Sequence, residues 1–421
     1  MSTKLFKNAH IYTPCIGDAP AAGQDQGNIT EWRAGCLLVE EGRITAVGTK
    51  REVEDVLKDK IVDKELDLDG AAVIPGFVDP HTHACFAATR ENEFSMRLAG
   101  TPYLDILKAG GGILSSVKSV RAASEEELFS FSRGLLATTL RYGTTTVEIK
   151  SGYGLDVETE LKMLRVINRL GKETPQNVVA TFMGAHAVPG EYKSNPDGYV
   201  ALIEDEMLPA VARQGIAKFC DIFCEDGVFS VEQSRKILNR AVELGFRLKI
   251  HADEVHDLGG AALAGELHAT SAEHLLAASD TGIAALAKGG TVAVLLPATA
   301  YSLKKPFARA RAMIEREVPV ALATDLNPGS CFCASMPFVF SLAVMCMNLA
   351  PEEALVGTTL NAAWAIGAEK EVGSLEPGKR ADFVVLDGSS PAVLAYASGT
   401  RPIRSVWVAG ERVDHVSVNR R

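Results

Sequence analysis

Eight short apolar runs recur between residues 71 and 325, most of them followed by a stretch of helical periodicity, and this repeat limits the fold more than any other feature of the chain. They cover 71–80, 144–150, 177–183, 219–224, 247–251, 269–274, 291–297 and 319–325. Stretches such as 157–170 (VETELKMLRVINRL) and 230–244 (SVEQSRKILNRAVEL) place apolar residues three and four apart, on one face of a helix. Strands buried on both sides read as unbroken apolar runs, and helical crossovers make them parallel. Eight such units predict an α/β fold, a (β/α)8 TIM-like barrel. The chain ends differ in texture. Residues 36–40, a turn at 41–43 and residues 44–47 alternate like a hairpin, and 373–387 and 405–413 repeat that pattern. The expectation is a small β-sandwich domain shared by residues 1–70 and 371–421, flanking a catalytic barrel at 71–370.

In such a barrel the chemistry sits at the C-terminal ends of the strands. His81 and His83 end the first run, His186 follows the third, His251 and Glu254 end the fifth, His274 ends the sixth and Asp325 the eighth. A buried histidine bonded to a backbone carbonyl explains any one of these; five of the nine histidines at strand ends point to a site. Because side chains alternate along a strand, His81 and His83 project from the same side and can share one ion while Thr82 faces away. Three imidazoles and a carboxylate suit zinc or a first-row metal such as iron, with a position left for water. That chemistry is hydrolytic. Asp325 either carries the water's proton to a leaving nitrogen or is a turn residue before Asn327-Pro328-Gly329. A second metal needs a bridging carboxylated lysine at the end of the fourth strand, which instead ends Phe223-Cys224-Glu225, while Lys150 closes the second. One metal per chain is expected, with Glu225 as a candidate ligand for another. His10, His256, His268 and His415 follow no such rule and read as surface residues.

Composition narrows the partners. At 47% hydrophobic and 23% charged residues the balance is that of a globular protein, and no apolar run reaches the about 18 residues of a membrane span. The amino-terminal stretch MSTKLFKNAHIYTP lacks an apolar signal core, so a cytoplasmic protein is expected. Eight scattered cysteines without a CxxC repeat predict reduced thiols. A net charge of −10 argues against nucleic acid or anionic membrane, and leaves any anionic substrate to be held by local cations. Gly110-Gly111-Gly112 lacks the Lys-Ser/Thr of a phosphate loop, and is either a mobile loop over the site or a turn between helices.

The segments PGFVDPHTH (75–83), RLAGTPYLDILKAGGGILSSV (97–117), VEIKSGYGLDVETELKMLR (147–165), GAHAVPGEYK (184–193), HADE (251–254) and ATDLNPGS (323–330) carry a resemblance that runs nearly end to end. The chain resembles the amidohydrolase superfamily, and within it the enzymes that open an imidazolone ring in histidine degradation. The resemblance implies hydrolysis of 4-imidazolone-5-propanoate to N-formimidoyl-L-glutamate, with the metal, zinc or iron, held by His81, His83, His251 and Asp325. It implies a substrate pocket lined by Arg90, Tyr103, Tyr153, His186, Glu254, Asn327, Gly329 and Ser330, with His274 near the metal, and a possible homodimer. Arg90 offers a planar fork for the propionate, His186 a hydrogen bond to the ring carbonyl as charge builds on it, and Glu254 an acceptor for a ring N–H. Two other readings stand beside this one. A purine or pyrimidine deaminase uses the same ligands and releases ammonia; a non-catalytic barrel acting as a binding or assembly module is expected to have lost them.

Overall fold

The computed structural model describes residues 3–58, 60–101 and 111–413; Tyr103, Gly110 and His415 lie outside these. The N-terminal part supplies five strands, β1 (Thr3–Pro14), β2 (Ile29–Glu40), β3 (Arg43–Gly48), β4 (Lys64–Asp67) and β5 (Ala72–Pro75). The barrel follows as β6 (Phe77–Asp79), β7 (Thr144–Lys150), β8 (Asn177–Ala185), β9 (Phe219–Cys224), β10 (Arg247–Ala252), β11 (Ser271–His274), β12 (Val292–Leu295) and β13 (Val320–Leu322). Then β14 (Phe383–Leu386), β15 (Ile403–Val408) and β16 (Glu411–Arg412) return to the first group.

These strands form two eight-stranded sheets. The mixed sheet unites both chain ends in the order β16-β15-β14-β5-β1-β2-β3, with β4 beside β1. Its core is aromatic: Trp407 stacks on Phe383 at 5.6 Å, and Phe6 meets both edge-on at 4.9 Å. The other sheet runs β6 to β13 in sequence order, every neighbour parallel. Several helices between the strands begin where the sequence offers acceptors for free N–H groups. Asp156 caps Val157–Glu173, and Ser230 with Gln233 forms a reciprocal capping box on Val231–Glu243. Among the described residues no helix is long and apolar enough to cross a membrane.

The first apolar run, expected as one barrel strand over 71–80, is divided. Ala72–Pro75 pairs with β1 and β14 in the mixed sheet, whereas Phe77–Asp79 pairs with β7 in the barrel. Gly76 is the crossing point, and a Cβ there would meet Thr145 Oγ1 at 2.2 Å. Beyond β13 the barrel seam is closed by single bonds. Asp325 N–H donates to His81 O (3.1 Å), His83 N–H to Leu326 O (2.9 Å), and Thr324 N–H to the Asp79 carboxylate (3.1 Å).

The barrel interior holds charge where branched apolar residues usually fill the layers. Lys150 Nζ lies 2.8 Å from Glu148 and 2.7 Å from Asp221, and Lys249 Nζ 3.2 Å from Glu273; all five are fully buried. Burial penalises these charges, and their mutual pairing offsets the penalty. Lys150, closest to two carboxylates, has its pKa raised despite desolvation.

Candidate metal centre and active site

His81-Thr82-His83 is clamped on both sides by backbone bonds. Lys150 N–H donates to Thr82 O (3.0 Å) and Thr82 Oγ1 to Glu148 O (2.7 Å), while the bonds to Asp325 and Leu326 hold the other edge. Thr82 thus faces β7, and both histidines turn to the barrel axis as the alternation requires. At the ends of β10, β11 and β13 the chain leaves extended geometry abruptly, with positive φ at Asp253, His274, Leu275 and Asp325. Such conformations cost free energy in residues other than glycine and cluster at functional sites.

Ring nitrogens of His81, His83 and His251 lie within 4.8 Å of one another, all buried. Asp325 Oδ1 lies 3.5 Å from His81 Nε2 and 3.8 Å from His83 Nε2, and the expected set of four therefore converges. These residues fit a metal ion. Two nitrogens about 2.1 Å from a tetrahedral ion stand about 3.4 Å apart, and His83 Nε2 and His251 Nε2 are separated by 3.4 Å. Both nitrogens of His81 and Nδ1 of His83 are buried without a hydrogen-bond partner among the described residues. Burial first, and neighbouring cations and imidazoles second, hold all three histidines far below their ordinary pKa, in the neutral form that ligates. His251 Nδ1–H donates to Asp221 Oδ1 (3.1 Å), which fixes its tautomer and presents Nε2 to the centre. A second acidic group, Asp221 with His251 and Glu273, lies below, where Lys150 and Lys249 already neutralise the carboxylates. Glu225 is engaged elsewhere: it takes the Val255 N–H (2.9 Å) and pairs with His256 (2.9 Å), folding the loop after β10.

A cavity of about 600 Å³ opens over these ligands, lined by Arg90, Tyr153, His186, Glu254, Asn327 and Ser330 among others. Every substrate residue expected from sequence lines it except Tyr103, which lies outside the described residues. Thr299 Oγ1 donates to Asp325 Oδ2 (2.6 Å), leaving Oδ1 toward the histidines. Burial pushes the Asp325 carboxyl up to about 6 and, with Glu225 nearby, that of Glu254 up to about 7. Glu254 Oε2 lies 3.7 Å from His274 Nε2. Asn327 is spent on its own loop: Oδ1 accepts from Gly329 and Ser330 N–H (2.8 Å each), and Nδ2 donates to Asp325 O (2.8 Å). Gly329 gives Arg90 its passage, since a Cβ there would stand 2.3 Å from Arg90 Nη1.

Two expectations change. His186 Nδ1–H donates to Gly152 O (3.0 Å), and burial lowers the ring's pKa to about 4. The neutral ring offers a lone pair at Nε2, so it accepts a hydrogen bond where a carbonyl-stabilising role needs a donor. Gly152, at φ +99°, permits the contact; a Cβ would lie 3.0 Å from that Nδ1. Arg90 is not a free fork either, because Nε and Nη2 donate to Glu93 at 2.9 and 2.6 Å. The four histidines read as surface residues also divide: His256 and His268 are exposed, whereas His10 is half-buried and bonded to Glu31 (2.6 Å). Asp221, Thr299 and Glu93 are neighbours of the site that sequence reasoning passed over, and Lys150 is one it weighed only as a misplaced bridging lysine. Their one signal was a charge at an inward position of an apolar run, legible for Lys150 and Asp221 alone.

Residues 72–413 match the family model described as the amidohydrolase family. The chain is 58% identical over 407 residues to the imidazolonepropionase of Syntrophobacter fumaroxidans, covering 97% of this chain and 96% of that protein. With the imidazolonepropionase of Desulfotalea psychrophila it shares 56% identity, over 98% of this chain and 100% of that one. Among solved structures, Escherichia coli guanine deaminase superposes with a TM-score of 0.74 at 15% identity, over 98% of this chain and 99% of that one. A zinc-bound adenosine deaminase from Xanthomonas campestris gives 0.71 at 18%, over 100% and 95%. At such identities these two speak for the fold alone. On the evidence of its family match and sequence relatives, the chain belongs to the amidohydrolase family and, within it, to the imidazolonepropionases.

Proposed function

We infer that this protein hydrolyses the ring amide of 4-imidazolone-5-propanoate to N-formimidoyl-L-glutamate, a step of histidine degradation. The observation that carries the reading is 58% identity to an imidazolonepropionase over 97% of the chain, joined to a buried cluster of potential ligands under a cavity of about 600 Å³. His81, His83, His251 and Asp325 would hold one zinc or iron ion, which when bound would supply an acidified water and polarise the ring carbonyl. Asp325 takes the proton of the attacking water at Oδ1, oriented by Thr299 on its other oxygen, and passes it to the ring nitrogen as the C–N bond breaks. His186 accepts a ring N–H at Nε2 and so selects the tautomer that reacts. Glu254, able to give or take a proton near neutral pH, faces the ring beside His274. The Tyr153 ring packs 5.8 Å from that of His83 and lines the cavity.

The test is to follow loss of imidazolone absorbance with the purified enzyme while assaying ammonia. Ring opening without ammonia is expected; stoichiometric ammonia means a deaminase. The same preparation should hold one metal equivalent per chain, since Lys150 and Lys249 occupy the carboxylates a second ion would use. Two equivalents by elemental analysis, both required for turnover, would refute the single-ion centre.

A further inference from the structure

We propose that Arg97 is a second anchor for the substrate's carboxylate, an inference that rests on the reading of an anionic imidazolone as substrate. Arg97 follows Arg90 by seven residues, Arg90 preceding the helix Glu91–Leu98 as its N-cap and Arg97 lying in its last turn, and both line the cavity with Tyr153 and Asp325. The guanidinium of Arg90 is largely spent. Glu93 takes two of its N–H groups, and the Glu93 carboxylate is locked in turn by Gly112 N–H (3.0 Å) and Ser115 Oγ (3.3 Å). Glu93 is also four residues from Arg97, the usual spacing for a helical ion pair, yet it turns the other way. Arg97 is left without an ion pair or side-chain hydrogen bond to any described residue, and its Nη2 is buried.

A guanidinium partly withdrawn from water, with one nitrogen buried and no acceptor for it, carries a cost, and the nearby like charge of Arg90 adds to it. A carboxylate entering the cavity relieves both. Phe94 lies under the group, 5.3 Å from ring centroid to Cζ, which supports its plane and leaves the N–H edges free. Counting charge around this part of the wall gives the same answer. Glu93 cancels Arg90, Lys305 is exposed and solvated, and Arg97 is the half-buried cation, its Nη2 wholly buried, with nothing to neutralise it among the described residues. In a chain of net charge −10, such a group is the local compensation that an anionic substrate requires.

The experiment compares Arg97→Met and Arg97→Lys with wild type on 4-imidazolone-5-propanoate and on its neutral propionamide. It adds titration with imidazole-4-propionate and its amide, which keep ring and chain but have no ring amide to hydrolyse. Arg97→Met should raise KM for the acid about 10- to 100-fold with kcat within about threefold, and weaken imidazole-4-propionate by a similar factor. Both amides should change less than about threefold, and Arg97→Lys should fall between, since an ammonium lacks the planar fork. Unchanged amide binding also certifies the fold of the variant. Equal losses for acid and amide, or an acid affinity within twofold of wild type, overturn the proposal. If wild type fails to turn over the imidazolone, the functional reading falls, while the two titrations still decide whether Arg97 recognises a carboxylate.

Discussion

At the scale of single residues, the site works by keeping its ionisable groups dry. Asp325 is held at φ +54° with Oδ2 on Thr299, so Oδ1 has one orientation, toward His81 and His83. An amide in its place can neither relay a proton nor neutralise a cation. Asp325→Asn should therefore fold normally and lose about 10²–10⁴-fold in turnover; turnover within threefold of wild type, with metal retained, removes Asp325 from proton transfer. Glu254 illustrates the cost of such dryness. Its carboxyl titrates near 7 in the folded chain against an ordinary 4.5. The unfolded chain gives up that proton first, so between about pH 4.5 and 7 the native state loses stability, and the loss persists above 7. Glu254→Gln removes the term. The variant should be the more stable protein at pH 8 by about 1–3 kcal/mol, a range discounted from the full shift because the side chain keeps 16% exposure. The advantage should shrink at pH 5.5. Urea titrations of both proteins at the two pH values check this, and a difference independent of pH contradicts the assignment.

At the scale of elements, the group that orients a histidine of the site comes from a neighbouring strand. His251 on β10 is aimed by Asp221 on β9, which Lys150 on β7 neutralises, so three strands cooperate in one imidazole. Asp221→Asn keeps an oxygen for the His251 N–H but leaves Lys150 paired with Glu148 alone. Metal affinity should drop about 10- to 100-fold, measured by competition with a chelator; affinity within twofold of wild type means that Asp221 serves the barrel and not the metal. This layer explains what the sequence made legible. The barrel strands could be counted because burial on both faces writes each as an apolar run, and His81 and His83 could be paired because strand alternation is strict. The lysines and carboxylates of the interior were visible as residues, but which of them meet depends on the register between strands, which no single strand encodes. The Glu93–Arg90 pair was hidden differently. Its spacing of three on a helix is ordinary for a surface pair, and only the bend of the chain over the cavity makes it part of a site. Tyr103 stays an expectation from likeness, since it lies outside the described residues.

For the molecule as a whole, the question is whether mixed sheet and barrel stand independently. They share a single apolar run, divided at Gly76 so that β5 completes one sheet and β6, two residues before His81, opens the other. Gly76 N–H is bonded to Asp382 O (2.9 Å) in the segment leading to β14, and Phe77 N–H to Gly143 O (3.0 Å) just before β7. The junction is pinned on both sides, and a Cβ at Gly76 would stand 2.2 Å from Thr145 Oγ1 and 2.5 Å from its Cγ2. Neither sheet can yield without losing one of those bonds. Gly76→Ala should therefore destabilise the protein by about 1–3 kcal/mol, the usual range for an overpacked core. It should lower kcat as well, because the displaced strand carries the histidine pair. The double variant Gly76→Ala/Thr145→Gly removes the clash and should recover much of the loss in Tm and kcat, a coupling that additive effects cannot mimic. Calorimetry then separates the two architectures. One transition that shifts as a unit in the single variant means the sheets unfold together; a shift confined to one of two transitions means that the run through Gly76 joins independent halves.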